Sequence, residues 1–175
     1  YFTGELLNAL KIIDQGHTDP ESMDGSWAGA MGQCQFMPTS FINYAIDFDG
    51  DGKKDIWTTV PDVLASAANY LSSSNWNNKE TWGREVSILN PIDESLVTVS
   101  ARNVDVSKKL STWSALGVRR LDGSELPKVD INAYLVYPEG ASGRKYIVYE
   151  NFKTILKWNR SLFFGIAVGT LSDLI

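Results

Sequence analysis

Four aspartates within nine residues pose the first chemical problem of this chain. The run Asp47-Phe48-Asp49-Gly50-Asp51-Gly52-Lys53-Lys54-Asp55-Ile56-Trp57 places carboxylates at positions 1, 3, 5 and 9 of a loop that a hard divalent cation would organise. Such an ion takes about six to eight oxygens, and alternating side chains of a tight loop converge on one point. Gly52 supplies the sharp turn at position 6, Lys53 lends its carbonyl at position 7, and Ile56 fills the apolar position 8. Position 12 is Thr58 rather than Glu, and Asp62, four residues later, is the best substitute for the closing carboxylate. Crowded aspartates repel one another unless neutralised, so calcium or another hard cation is expected here. Its role is read as structural, because one loop and 3 Met do not make a paired calcium sensor with a Met-rich groove.

A second candidate is Gly25-Ser26-Trp27-Ala28-Gly29-Ala30-Met31-Gly32, followed by Gln33-Cys34-Gln35-Phe36-Met37-Pro38-Thr39-Ser40. No Gly-Lys-Ser/Thr follows the glycines and no strand precedes them, which excludes a phosphate loop and a dinucleotide fingerprint. Cys34 or Ser26 could pair with the single histidine, His17, as a nucleophile, but nothing in the sequence sets that geometry. Small residues beside Trp27, Gln35 and Met37 either pack helices closely or leave an open groove floor with amide donors, suited to a sugar bearing N-acetyl groups.

The elements that must position these groups follow from periodicity and punctuation. Tyr1–Asp14 reads as an amphipathic helix, with Leu6, Leu7, Leu10 and Ile13 at helical spacing and Gly16 as its stop. Residues 15–32 read as loop, with room for one turn of helix. Pro38 opens a second helix carrying Phe41, Ile42 and 44–46, and a third starts near Pro61 and runs through Leu64, Ala67, Ala68 and Leu71. From about Asn75 the texture changes. Residues 86–89, 96–101, 131–137 and 145–149 are short, β-branched or aromatic runs that predict strands, with a short helix over 107–116 between them. Helix returns in two pieces from Asn151. The class is α+β.

Composition bounds the partners. The 175 residues are 43% hydrophobic and 21% charged, with a net charge of −5, which argues against duplex nucleic acid as the main partner. Residues 1–62 carry ten acids against three bases, a balance of −7, and the remainder balances at +2. One cysteine excludes an intrachain disulfide and a multi-Cys zinc site. The longest apolar stretch, Leu162–Leu171, is too short to span a bilayer. No internal repeat is visible, and a monomer is expected. The chain opens at Tyr1 without Met, which reads as a processed or cut N-terminus.

The stretch GSWAGAMGQCQFMPTSFINYAIDFDGDGKKDIW (25–57), the run Ala67-Ala68-Asn69-Tyr70-Leu71 and the tail NFKTILKWNRSLFFGIAVGTLSDLI together resemble the MltB family of lytic murein transglycosylases. The resemblance runs end to end and is weakest over roughly 85–145. It implies a lysozyme-like helical core with an inserted small β-rich subdomain: residues 1–84 as core with an EF-hand-like loop, 85–149 as the insert, and 150–175 as helices completing the core. It also implies a lyase of the bacterial periplasm or cell envelope that acts on peptidoglycan glycan strands. Such an enzyme cuts the β-1,4 bond between N-acetylmuramic acid and N-acetylglucosamine with a single Glu acid, and the muramic C6 hydroxyl closes a 1,6-anhydro ring. That chemistry differs from the two-carboxylate scheme of most glycosidases.

Carried over residue by residue, the resemblance makes Ser26 and Gln35 polar groove residues, Met37 an apolar wall, and Tyr70 and Asn159 residues that face the substrate. Trp158 and Phe164 fall where relatives can carry Tyr, which keeps a stacking surface without a hydroxyl. Asp47, Asp49, Asp51, the Lys53 carbonyl and Asp62 match the cation loop. The catalytic Glu of the family lies in a helix upstream of the segment that begins this chain. Glu5 belongs to the downstream segment and Glu21 to a polar turn, so no catalytic residue is assigned among these 175. The other reading is a catalytically inactive peptidoglycan-binding module that uses the same groove.

Overall fold

Helix α1 spans Phe2–Asp14 in the computed structural model, which describes residues 1–175. It ends where predicted, with Gly16 in a left-handed turn at φ +77°. Its burial corrects the sequence pattern. Leu6, Leu7 and Leu10 are exposed, and the residues turned inward are Glu5 and Ile12. The cause is the packing of α2 (Pro38–Tyr44) on that side. Pro38 opens α2 and has no N–H to satisfy, so the first orphan amide is that of Thr39. The Glu5 carboxylate accepts from that amide at 2.9 Å and from the Thr39 hydroxyl at 3.0 Å, and Asn8 donates to the same hydroxyl oxygen at 2.8 Å. A polar clamp, more than the leucine stripe, sets the face that α1 buries.

Helix α3 (Val60–Ser73) follows the same logic. It starts at Val60, beside Pro61 as predicted, yet its buried residues are Asp62 and Ser66 rather than the expected apolar set. Chain 45–59 has no regular secondary structure, so its backbone groups need partners. The Ser66 hydroxyl accepts from the Ile46 amide at 2.9 Å, and Asn69 Nδ2 donates to the Tyr44 carbonyl at 2.9 Å. These helices and their loops form one compact unit, Tyr1–Ser74.

The second unit, Asn75–Ile175, is built on a sheet. Its strands are β1 (Gly83–Ile88), β2 (Val97–Thr98), β3 (Lys108–Lys109), β4 (Val118–Arg119), β5 (Asn132–Val136) and β6 (Lys145–Val148), in the order β2-β5-β6-β1-β4 with β3 also on β5. Pairs are antiparallel except β2 with β5. Alternate residues face opposite sides. Tyr134, Val136, Tyr146 and Val148 pack with Trp82 against α5 (Glu150–Trp158) and α6 (Leu162–Ser172), through Phe152, Ile155, Leu162 and Ile166. Ala133, Leu135 and Ile147 pack with Leu110 and Trp113 of the short helix α4 (Leu110–Ala115).

Several boundaries differ from expectation. The 96–101 run contributes only Val97–Thr98, because Asp93 caps a 3-10 turn over Glu94–Leu96 and a turn follows at Ser100. The 107–116 helix starts at Leu110, since Lys108 and Lys109 pair with Ala133 and Asn132. Residues 15–32 contain turns and no helix. No helix is long and apolar enough to cross a membrane.

Candidate functional site

The glycine-rich segment folds as a tight double turn in the first unit. The Ser26 amide donates to the Ala30 carbonyl at 2.7 Å, the Ala30 amide donates to Ser26 Oγ at 3.2 Å, and bridges join Met31 to both Gly25 and Phe36. Two glycines are there for steric reasons. A Cβ at Gly25 would run into the Ala30 carbonyl, and one at Gly32, where φ is +59°, would lie 2.6 Å from the Ile56 carbonyl oxygen. Gln35 is also left-handed, at φ 49°, without being glycine. That conformation costs about 1 kcal/mol, and the exposed Gln35 side chain turns back to donate to the Gly32 carbonyl at 2.9 Å.

An open pocket of about 380 Å³ lies between this turn and α1, and both Ser26 and Met37 line it. Phe2, Leu6 and Trp27 supply apolar surface. Trp27 is 99% exposed, an unusual state for a large ring that water solvates poorly. Met37 lies within contact reach of the position a Gly29 Cβ would take. Gln35 and Tyr70 flank Phe36, whose ring centroid lies 5.6 Å from that of Tyr70. Tyr70 also meets Tyr44 edge-on at 4.9 Å. Burial, reinforced by Tyr44, raises the Tyr70 phenol above its ordinary value, so it stays protonated and able to donate.

Glu5 reaches the same pocket, but its oxygens are engaged as acceptors from Thr39. No sequence pattern signals this partnership, because 34 residues separate the two. Glu21 is exposed in a turn. The nucleophile pairs fall away. Burial pushes the Cys34 thiol up to about 11, and its Sγ donates to the Val63 carbonyl at 3.4 Å. His17 Nδ1 accepts from the Lys54 amide at 3.2 Å, and burial together with Lys54 lowers its pKa.

The acidic loop brings Asp47, Asp49 and Asp62 together, with one oxygen from each within 4.8 Å of the others. Asp62 is 1% exposed and holds the Phe48 and Asp55 amides on its two oxygens, both at 2.8 Å. Asp47 accepts from the Gly50 and Gly52 amides at 2.7 and 2.9 Å. Asp51 stands outside this group, and its Oδ1 accepts from the Lys53 amide at 2.7 Å. Asp55, at position 9, turns instead to the amides of Trp57 and Thr58 and the hydroxyls of Thr58 and Thr59. Ile56 is fully buried, as its position predicts. The all-oxygen donor set, with one carboxylate buried, fits a hard divalent ion. The loop is also tied to the glycine-rich turn, since Trp57 Nε1 donates to the Asp24 carbonyl at 2.9 Å and Gln33 Nε2 to the Trp57 carbonyl at 2.8 Å.

In the second unit, Trp158 closes α5, exposed Asn159 follows in extended conformation, and Ser161 caps α6 by accepting from the Phe164 amide at 3.3 Å. Phe164 is half-buried against the sheet cluster. Asn159 is therefore presented by the break between two helices.

The profile of the family described as "Transglycosylase SLT domain" matches residues 1–173. Membrane-bound lytic murein transglycosylase B of Escherichia coli (strain K12) is 29% identical over 180 residues, covering 99% of this chain and 45% of the relative. The structure of SltB3 from Pseudomonas aeruginosa in complex with NAG-anhNAM-pentapeptide superposes with a TM-score of 0.89 at 44% identity, covering 97% of this chain and 44% of that one. Escherichia coli Slt35 in complex with calcium gives a TM-score of 0.78 at 29% identity, covering 99% and 52%. The chain thus spans about half the length of the relatives it matches.

Proposed function

Because the chain belongs to the transglycosylase SLT domain family, we propose that residues 1–175 carry the glycan-binding groove of a peptidoglycan lytic transglycosylase. In this reading the helices of Tyr1–Ser74 belong to a lysozyme-like core and residues 85–149 form the β-rich insert. The observation that carries it is the pocket lined by Ser26, Met37 and a bare Trp27, within a family match that runs over residues 1–173. In the first unit Ser26, Gln35 and Tyr70 offer polar contacts to sugar hydroxyls and N-acetyl groups and Met37 an apolar face; in the second, Asn159 offers a polar contact and Trp158 and Phe164 apolar faces for the rings. The substrate would be a peptide-bearing glycan like the ligand of SltB3, met in the periplasm or cell envelope.

In the reaction a carboxylic acid protonates the oxygen between muramic acid and glucosamine, and the C1–O bond breaks. The muramic C6 oxygen then bonds to C1, and its proton returns to the carboxylate. No water is consumed, and the product is a 1,6-anhydro sugar. Neither Glu5, which caps α2, nor exposed Glu21 is placed to be that acid. The second reading is a peptidoglycan-binding module that uses the same groove without cleavage of its own. Calcium, held by Asp47, Asp49 and Asp62 with Asp51 and the Lys53 carbonyl as further donors, would brace the loop without touching the bond that breaks.

The protein incubated with purified sacculi tests both readings. Binding that falls about tenfold in Tyr70→Phe or Asn159→Ala, with the melting curve unchanged, supports the groove, and failure to bind sacculi refutes it. Release of 1,6-anhydro-muropeptides, read by mass spectrometry, favours the enzyme, and binding without release favours the module. Glu21→Gln leaves any release unchanged, and its loss would reinstate Glu21 as the acid.

A further inference from the structure

In the second unit, cations gather where the sequence offers no motif. Arg102 from the turn after β2, Lys153 and Lys157 from successive turns of α5, and Arg160 just beyond its end line an open cleft of about 300 Å³. Buried Val104 and Leu156 contribute its apolar lining. Asp105 is the one acid among the lining residues, so the cleft reverses the sign of a chain with net charge −5.

Ordinary structural needs explain only part of this. A cation in the last turn of α5, such as Lys157, complements the helix dipole. Lys153 is committed within the fold, donating to the Tyr134 hydroxyl at 3.2 Å and lying 3.7 Å from Glu150. Neither account covers Arg102, which arrives from a separate loop. Arg102 and Arg160 are both exposed, and the side chain of neither makes an ion pair or a hydrogen bond. Guanidinium groups left uncommitted around a concavity suit a carboxylate, which they can grip with paired hydrogen bonds. The apolar lining suits the short side chain that such a carboxylate carries.

We propose that this cleft binds a carboxylate of the stem peptide attached to the muramic acid of the glycan. The proposal rests on the glycan-groove reading and deepens it. Lys157 and Arg160 directly flank Trp158 and Asn159, the proposed glycan contacts, so both sets share the end of α5. A phosphate-bearing lipid surface fits less well, because the cations line one small concavity and do not spread over a face.

The test compares three probes on the intact protein: a disaccharide-pentapeptide with free carboxylates, the same compound with every carboxylate amidated, and the peptide-free disaccharide. The free-carboxylate probe binds about tenfold tighter than the other two. The double variant Arg102→Ala/Arg160→Ala loses this preference, keeps its melting temperature and binds the peptide-free disaccharide as before. Absence of a preference in the unaltered protein, or its survival in the double variant, overturns the proposal. A preference that depends on the arginines while the peptide-free disaccharide does not bind leaves the cleft standing and removes the glycan groove. Vesicles of equal parts phosphatidylglycerol and phosphatidylcholine provide the last arm. Arginine-dependent vesicle binding without a carboxylate preference would assign the cleft to a membrane and overturn the proposal.

Discussion

Asp55 lies in the acidic loop but serves the fold. Burial alone would raise its carboxyl, yet hydrogen bonds from Thr58, Trp57 and Thr59 outweigh that and hold it below the ordinary 3.8. A depressed carboxylate stabilises the folded state above its unfolded pKa, and the contribution disappears as pH falls through the folded value. Asp55→Asn should therefore lower the melting temperature at about pH 7, and the gap should close below about pH 4. A gap independent of pH would show that the charge contributes nothing. Gln35 makes the opposite case. Gln35→Gly relieves the left-handed backbone, so stability should hold or rise while sacculus binding weakens; a loss of both would make Gln35 a structural residue. Asp47, Asp49 and Asp62 were legible from spacing alone. The departure of Asp51 and Asp55 toward backbone amides was not, because Asp in a loop serves a turn as readily as an ion.

Helices were legible where a proline lies in the first turn, at Pro38 and Pro61, and the strands β1, β5 and β6 where a β-branched or aromatic run lasts four residues or more. The two-residue strands β3 and β4 have no period to read. The inward faces of α1 and α3 were misread, because polar groups there satisfy backbone that lies elsewhere in the sequence. Helix α6 packs through Gly165 and Gly169, where an added Cβ would overlap the rings of Phe152 and Trp82. Gly169→Ala should cost about 1–3 kcal/mol. By contrast, Gly4 in α1 has open space, and Gly4→Ala should stabilise by about 0.5–1 kcal/mol. Denaturant melts of the two variants check this, and equal effects would refute close packing at α6.

Across the molecule, charge is divided unevenly: the unit Tyr1–Ser74 carries the net −7 and the unit Asn75–Ile175 the net +2. The acidic loop with Asp62 contributes −3 of this, five carboxylates against Lys53 and Lys54, so an ion there would offset self-repulsion as well as brace the chain. Calcium at about a hundred times its dissociation constant should add about 2.7 kcal/mol of stability, and a chelator should remove it. Asp49→Ala should melt lower and respond less to either. Identical melting curves with calcium and with chelator would refute the site.

The grip of Asp62 also bears on which ion the loop accepts. Because its two oxygens already hold the Phe48 and Asp55 amides, the two sides of the loop are clasped before any ion arrives. A small ion that demands octahedral contacts at about 2.1 Å would have to drag that clasp inward and lengthen its hydrogen bonds. A larger ion, at ease with irregular contacts near about 2.4 Å, would settle with the clasp intact. If the loop holds an ion as proposed, one buried aspartate, through two backbone amides, would favour calcium over magnesium by size.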